Sequence, residues 1–120
     1  MNYEIVTTED FDKEVKKLAK KYRSFVDDLE SLKKELLENP TKGDDLGDNL
    51  RKVRMAIASK NKGKRAGARL LTCNILVDVE NTDIYLLDIY DKSDKETASK
   101  KEIQELKVKY GLVSPVTPSH

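Results

Sequence analysis

Residues 50–90, LRKVRMAIASKNKGKRAGARLLTCNILVDVENTDIYLLDIY, decide the fold of this chain. Three apolar runs in this stretch read as β-strands. In 51–58, Val53, Met55 and Ile57 share one face, and Lys52, Arg54, Ala56 and Ala58 share the other, because alternate residues of a strand point to opposite sides. The run 68–78 is almost continuously apolar, as expected of a central strand buried on both faces. The run 83–90 (DIYLLDIY) is a further strand, and 79–82 (VENT) supplies the hairpin turn between the two. Between the first two runs lies 59–67 (SKNKGKRAG), which reads as a flexible basic loop.

The same stretch concentrates the positive charge. From Asn49 to Val77 there is no Asp or Glu, while Arg51, Lys52, Arg54, Lys60, Lys62, Lys64, Arg65 and Arg69 are all present. The chain as a whole has 23 basic and 22 acidic residues, so everything outside this block is net acidic. Net charge therefore says nothing about partners, but its placement does: a basic strand face beside a basic loop points to a polyanion.

Upstream, 3–7 (YEIVT) is a short alternating strand. Thr7 or Thr8 can cap a following helix, with Glu9 and Asp10 in its first turn. Phe11, Val15, Leu18, Tyr22, Phe25, Leu29, Leu32 and Leu36 then recur at alternating spacings of 4 and 3, a helical stripe. One long coiled-coil helix fits this stripe, and so does an αα-hairpin broken near 22–24; the hairpin is favoured because the strands need a cover. Ser24 with Asp27 resembles a capping signature for the restart. Asn39-Pro40 ends the helix, and 41–49 (TKGDDLGDN) reads as a polar loop. Downstream, Ser99 and Glu102 form a capping box for a last helix, with Ile103, Leu106 and Tyr110 on one side and Gly111 as its stop. The expectation is an α+β domain over 1–112, ordered β-α-α-β-β-β-α, with helices on an antiparallel sheet, and a frayed tail at 113–120.

Several chemistries find no residues to carry them. The one histidine is His120 and the one cysteine is Cys73, inside an apolar run, so neither a hydrolase triad nor a metal-ligand spacing can be drawn. No Gly-rich phosphate loop leads into a helix. No cofactor or metal is expected. Residues 1–6 run straight into charged helix and no apolar run approaches membrane length, so no signal peptide or membrane span is expected, and the cytoplasm is the expected setting.

What remains is Lys, Arg and Tyr chemistry, which suffices to cleave RNA without metal. A ribose 2′-oxygen attacks the adjacent phosphorus, arginine forks stabilise the charge that develops on the phosphate, and the leaving 5′-oxygen is protonated. The candidates for this work are Lys52, Arg54, Arg69, Tyr90 and Lys92. Arg51, Lys60, Lys62, Lys64, Arg65 and Lys95 are candidates for holding the RNA backbone.

The element order, the segment LRKVRMA, the loop ending in GARLL, and IYLLDIYDKSDKE before a terminal helix together resemble the RelE/ParE toxin superfamily, most of all its HigB-like and RelE-like members. The resemblance spans about residues 2–110. It implies a toxin of a type II toxin–antitoxin system that cleaves mRNA, usually on the ribosome. It implies a cognate antitoxin, of helix-turn-helix type, through which alone the toxin would meet operator DNA. Within it, Lys52 and Arg54 match basic residues of the second strand, and Arg69 matches an arginine early in the third. Tyr90, Lys92 and Lys95 match basic or tyrosine residues after the fourth. The tyrosine that RelE members carry at the start of the last helix has no counterpart in 97–101, which leaves the general base and acid open. Two other functions fit the same sequence: a ParE-like poison of DNA gyrase without nuclease activity, and a non-catalytic nucleic-acid-binding module.

Overall fold

The computed structural model describes residues 1–94 and 98–112; Lys95 and the expected tail at 113–120 lie outside the described residues. The chain opens with β1 (Asn2–Thr7), followed by α1 (Glu9–Lys21) and α2 (Phe25–Glu38). Thr8 is the joint between strand and helix. Its Oγ1 accepts the Phe11 N–H at 3.2 Å and donates to the carbonyls of Leu86 and Leu87 at 2.9 and 3.0 Å, so one hydroxyl caps α1 and fastens it to the sheet. Acids in the first turn of α1 and lysines in its last suit the helix dipole.

The helical stripe folds as the expected hairpin. The break is at Tyr22, whose backbone is extended. The expected capping pair of Ser24 with Asp27 does not form. Ser24 is itself helical in backbone, and its hydroxyl donates instead to Asp28 Oδ2 at 2.7 Å. The same Ser24 oxygen accepts the Ser59 N–H at 2.8 Å, and so ties the restart of α2 to the start of the basic loop.

The remaining strands are β2 (Asp44–Gly47), β3 (Leu50–Met55), β4 (Ala68–Leu76) and β5 (Asn81–Asp91), with α3 (Lys100–Lys109) last. They form one five-stranded sheet in the order β1-β5-β4-β3-β2. Two expectations are corrected here. The sheet is mixed, not antiparallel, because β1 lies at its edge parallel to β5, with Asn2 opposite Asn81 and Thr7 opposite Leu86. And the polar loop at 41–49 contains a short strand. Asp48 and Asn49 both take positive φ (54° and 65°), the geometry of a tight hairpin turn, and fold β2 back on β3.

Burial divides the sheet residues between two cores. Leu70, Val53, Met55, Ile84, Leu86 and Ile89 pack under α1 and α2 with Phe11, Leu18, Phe25, Leu29, Leu32 and Leu36. Leu71, Cys73, Leu50, Leu87 and Tyr90 pack on the other face with Ile103 of α3. β4 feeds both, which is why its sequence is apolar without alternation. Cys73 is wholly buried, and burial pushes its thiol above the ordinary range, as suits a packing residue. The α3 capping box of Ser99 and Glu102 forms as expected, and Gly111 follows the helix at φ 67°. Among the described residues no helix is long and apolar enough to cross a membrane.

At the start of β4, Gly67 lies so close to β3 that a Cβ there would come within 2.0 Å of the Met55 carbonyl oxygen. Both groups are backbone, so neither can step aside alone. Gly67→Ala is therefore expected to destabilise the protein by an amount at the upper end of the roughly 1–3 kcal/mol typical of overpacking, read as a lowered urea midpoint.

Candidate nucleic-acid interface

Three of the candidate residues stand in a row across the sheet. Arg54 on β3 is opposite Arg69 on β4, and Arg69 is opposite Tyr90 on β5. Directly opposed residues share a face, here the face that carries α3. Lys52, two residues before Arg54, points the same way and sits opposite Leu71.

The members of this row differ in exposure. Arg54 is exposed, and no ion pair or hydrogen bond involves its side chain among the described residues. Arg69 is only 5% exposed. Its guanidinium donates to the carbonyls of Lys64 (2.9 Å), Arg65 (2.9 Å) and Ala68 (3.1 Å), bracing the basic loop from within. Burial, followed by the adjacent charge of Arg54, holds its pKa below the ordinary arginine value. Tyr90 is 4% exposed, and its hydroxyl accepts the Ala98 N–H at 3.1 Å. Both residues, expected to act on RNA directly, lie behind the surface that Arg54 presents.

β2 pairs with β3 only as far as Asp44 opposite Lys52. Past that point lies a depression of about 290 Å³ lined by Lys42, Lys52, Arg54 and Lys64, with Asp44 as the one acid. Arg54 and Lys64 also line a second depression of about 180 Å³ against α2. Among the described residues no carboxylate pairs with Lys52, Arg54 or Lys64, whereas Lys42 pairs with Glu35 at 3.4 Å. Cations that outnumber the one acid of their cavity are what a phosphate oxygen would satisfy. Lys42 was missed in the sequence because it sits among the acids of 41–49.

The loop that delivers Lys64 carries local structure, with two 3₁₀ turns, Ala58–Lys60 and Lys64–Ala66. Lys60, expected to hold RNA, is turned inward. Its Nζ donates to Ala66 O (2.7 Å), Asp91 Oδ1 (2.9 Å) and Ser93 Oγ (2.8 Å), and all three of its N–H donors are thereby engaged. Asp91 also accepts the Tyr22 hydroxyl and the Ser93 N–H, and Lys21 approaches it at 3.6 Å. This buried cluster fixes the loop to the end of β5 and to the end of α1. Sequence reading found neither Asp91 nor Tyr22, since their partners are distant in the chain.

The other candidates are dispersed. Arg51 shares the helix-facing side of β3 with Val53 and approaches Asp45 at 3.9 Å. Lys62 and Arg65 are exposed on the loop but do not line the depression. Lys92 follows β5, half-buried, with its backbone N–H donating to Gly67 O at 2.9 Å. Among the described residues no three His, Cys, Asp or Glu side chains are grouped so that they could hold a metal ion.

No protein-family model matches this chain, and no curated protein matches it in sequence.

Proposed function

We propose that this chain is a metal-independent endoribonuclease toxin that cleaves mRNA on the ribosome and is neutralised by a cognate helix-turn-helix antitoxin. The observation that carries the proposal is the convergence of Lys52, Arg54 and Lys64, none paired with a carboxylate among the described residues, on one depression beside the Arg69–Tyr90 row. The resemblance of the sequence to RelE-like and HigB-like toxins supplies the reaction and the partner.

In this reading a phosphodiester of single-stranded RNA lies in the depression. The 2′-oxygen attacks the adjacent phosphorus and gives up its proton. The bond from phosphorus to the 5′-oxygen breaks, and that oxygen takes up a proton as it leaves, giving a 2′,3′-cyclic phosphate and a 5′-hydroxyl. Arg54, with a planar fork of donors, and Lys64 stabilise the charge on the non-bridging oxygens, and Lys52 holds the neighbouring phosphate. Arg69 and Tyr90 are positioning residues: they fix the loop carbonyls and the start of α3 around the site. Their burial also favours a second reading, a nucleic-acid-binding module that does not cut.

The test is to map mRNA ends after adding the purified protein, in chelator, with and without translating ribosomes. New 5′-hydroxyl ends that require ribosomes support the proposal. Salt-sensitive RNA binding with intact mRNA favours the non-catalytic module, and DNA damage in expressing cells with intact mRNA favours the gyrase poison.

A further inference from the structure

A second cavity adjoins the basic depression on the α3 face. It measures about 190 Å³ and lies between the β2–β3 hairpin and the start of α3. Leu46, Leu50, Ala98 and Ile103 give it an apolar lining, with Leu50 and Ile103 buried in the core beneath. Lys52, Lys100 and Gln104 supply its polar edge, and among the described residues no carboxylate lines it. Lys52 is common to this cavity and to the cationic depression, so one side chain borders both.

We propose that this cavity is a nucleobase subsite, which takes one base of a single-stranded RNA whose adjoining phosphate rests against Lys52. The inference rests on the RNA-binding reading of the depression and adds to it a place where sequence preference arises. Three observations favour a base over other occupants. The cavity is smaller than the roughly 300–1,000 Å³ of sites for whole drug-sized ligands, so it fits a single ring system without its sugar. Its apolar lining suits the flat face of a base, and its two lysines suit the phosphates on either side. And Lys52 lines both this cavity and the depression proposed to hold the backbone.

Gln104 gives the subsite a means of discrimination. Its Nε2 donates to Asp48 Oδ2 at 3.3 Å, and Lys107 Nζ holds the same turn through Asp48 O at 2.8 Å. The Gln104 amide is therefore oriented, and its Oε1 has no partner among the described residues. A carbonyl oxygen at the edge of a base pocket accepts from an exocyclic amino group, which adenine, cytosine and guanine carry and uracil lacks. The subsite is expected to disfavour uracil.

The experiment uses fluorescence anisotropy with short 2′-O-methyl oligoribonucleotides, which cannot be cleaved, the same oligomers with abasic positions, and inorganic polyphosphate as a base-free polyanion. Wild-type protein is expected to bind the intact oligomer about tenfold more tightly than the abasic one. Ala98→Leu, which fills the cavity from its half-buried lip, should lose that preference and keep its affinity for polyphosphate. Gln104→Leu should bind uracil-containing and cytosine-containing oligomers alike. Equal affinity of wild-type protein for intact and abasic oligomers overturns the subsite and leaves the groove to an apolar side chain of a protein partner. That outcome needs no variant, so it holds even if Ala98→Leu folds poorly. Failure of wild-type protein to bind either the oligomers or polyphosphate overturns the underlying RNA-binding reading as well, and is distinguishable from failure of the subsite alone.

Discussion

Asp91→Ala is expected to destabilise the protein by about 3–5 kcal/mol, the cost of removing one partner from a buried ion pair. The Asp91 side chain has no exposed surface, and that of its partner Lys60 is 9% exposed. Without the carboxylate, the Lys60 ammonium keeps its two neutral acceptors, Ala66 O and Ser93 Oγ, and the Tyr22 ring 5.4 Å away, but its charge loses its carboxylate partner in the interior. Urea denaturation at neutral pH measures the loss. Lys60→Met combined with Asp91→Leu should cost much less than Asp91→Ala alone, because an apolar pair leaves no stranded charge.

The same carboxyl gives the effect a pH signature. Burial pushes its pKa up, but hydrogen bonds from Tyr22, Lys60 and the Ser93 backbone, with the Lys60 charge, overcome this and hold it far below the usual carboxylate range. A folded-state pKa below the unfolded value means that the unfolded chain binds the proton first. The stabilisation is thus complete above the ordinary aspartate pKa of about 3.9 and is lost as pH falls from there toward the folded value. The stability gap between wild type and Asp91→Asn should narrow below about pH 4. A gap that stays constant across that range would show that Asp91 is protonated, or unpaired, in the folded protein.

Arg54→Ala is expected to lower kcat/KM for RNA cleavage by about 10²–10³-fold, the range seen when one preorganised donor to a developing charge is removed. Its effect on stability should stay within about 0.5 kcal/mol, since the side chain is exposed and unpaired among the described residues. Arg69→Ala provides the contrast. It removes three hydrogen bonds to backbone carbonyls, two of them in the loop, so it should lower the urea midpoint and cleavage together. If Arg54→Ala cleaves at the wild-type rate while Arg69→Ala fails only when it unfolds, the depression is not where the phosphate is attacked.

The elements that could be read from sequence are those whose evidence is local. Val53, Met55 and Ile57 alternate because one core lies on one side of β3 and the residues that follow it, and 68–76 is mostly apolar without alternation because a core lies on either side of β4. Ser99 and Glu102 announce α3 because a capping box is complete within four residues. The parallel seat of β1 beside β5 was not legible: a six-residue strand specifies which face it buries, not which neighbour it joins or in which direction. β2 was hidden because an exposed edge strand needs no apolar face, and Asp44 and Asp45 resemble loop residues.

The site divides in the same way. Lys52, Arg54 and Lys64 were legible as basic residues, and they do share a cavity. Lys60 and Arg69 looked identical to them in sequence. What turns Lys60 inward is Asp91, and what buries Arg69 is a ring of backbone carbonyls created only when the loop closes. Charge counting finds a basic block, but only tertiary structure separates the cations that hold the loop from those that face solvent.

The most direct test of the account is the salt dependence of binding to a non-cleavable single-stranded RNA. Each cation that neutralises a phosphate contributes about 0.7 to the slope of log K against log salt. Combining Lys52→Ala, Arg54→Ala and Lys64→Ala should therefore flatten the slope by about 2 while the fold persists. An equal slope in wild type and triple variant would contradict the claim that these three side chains grip the backbone.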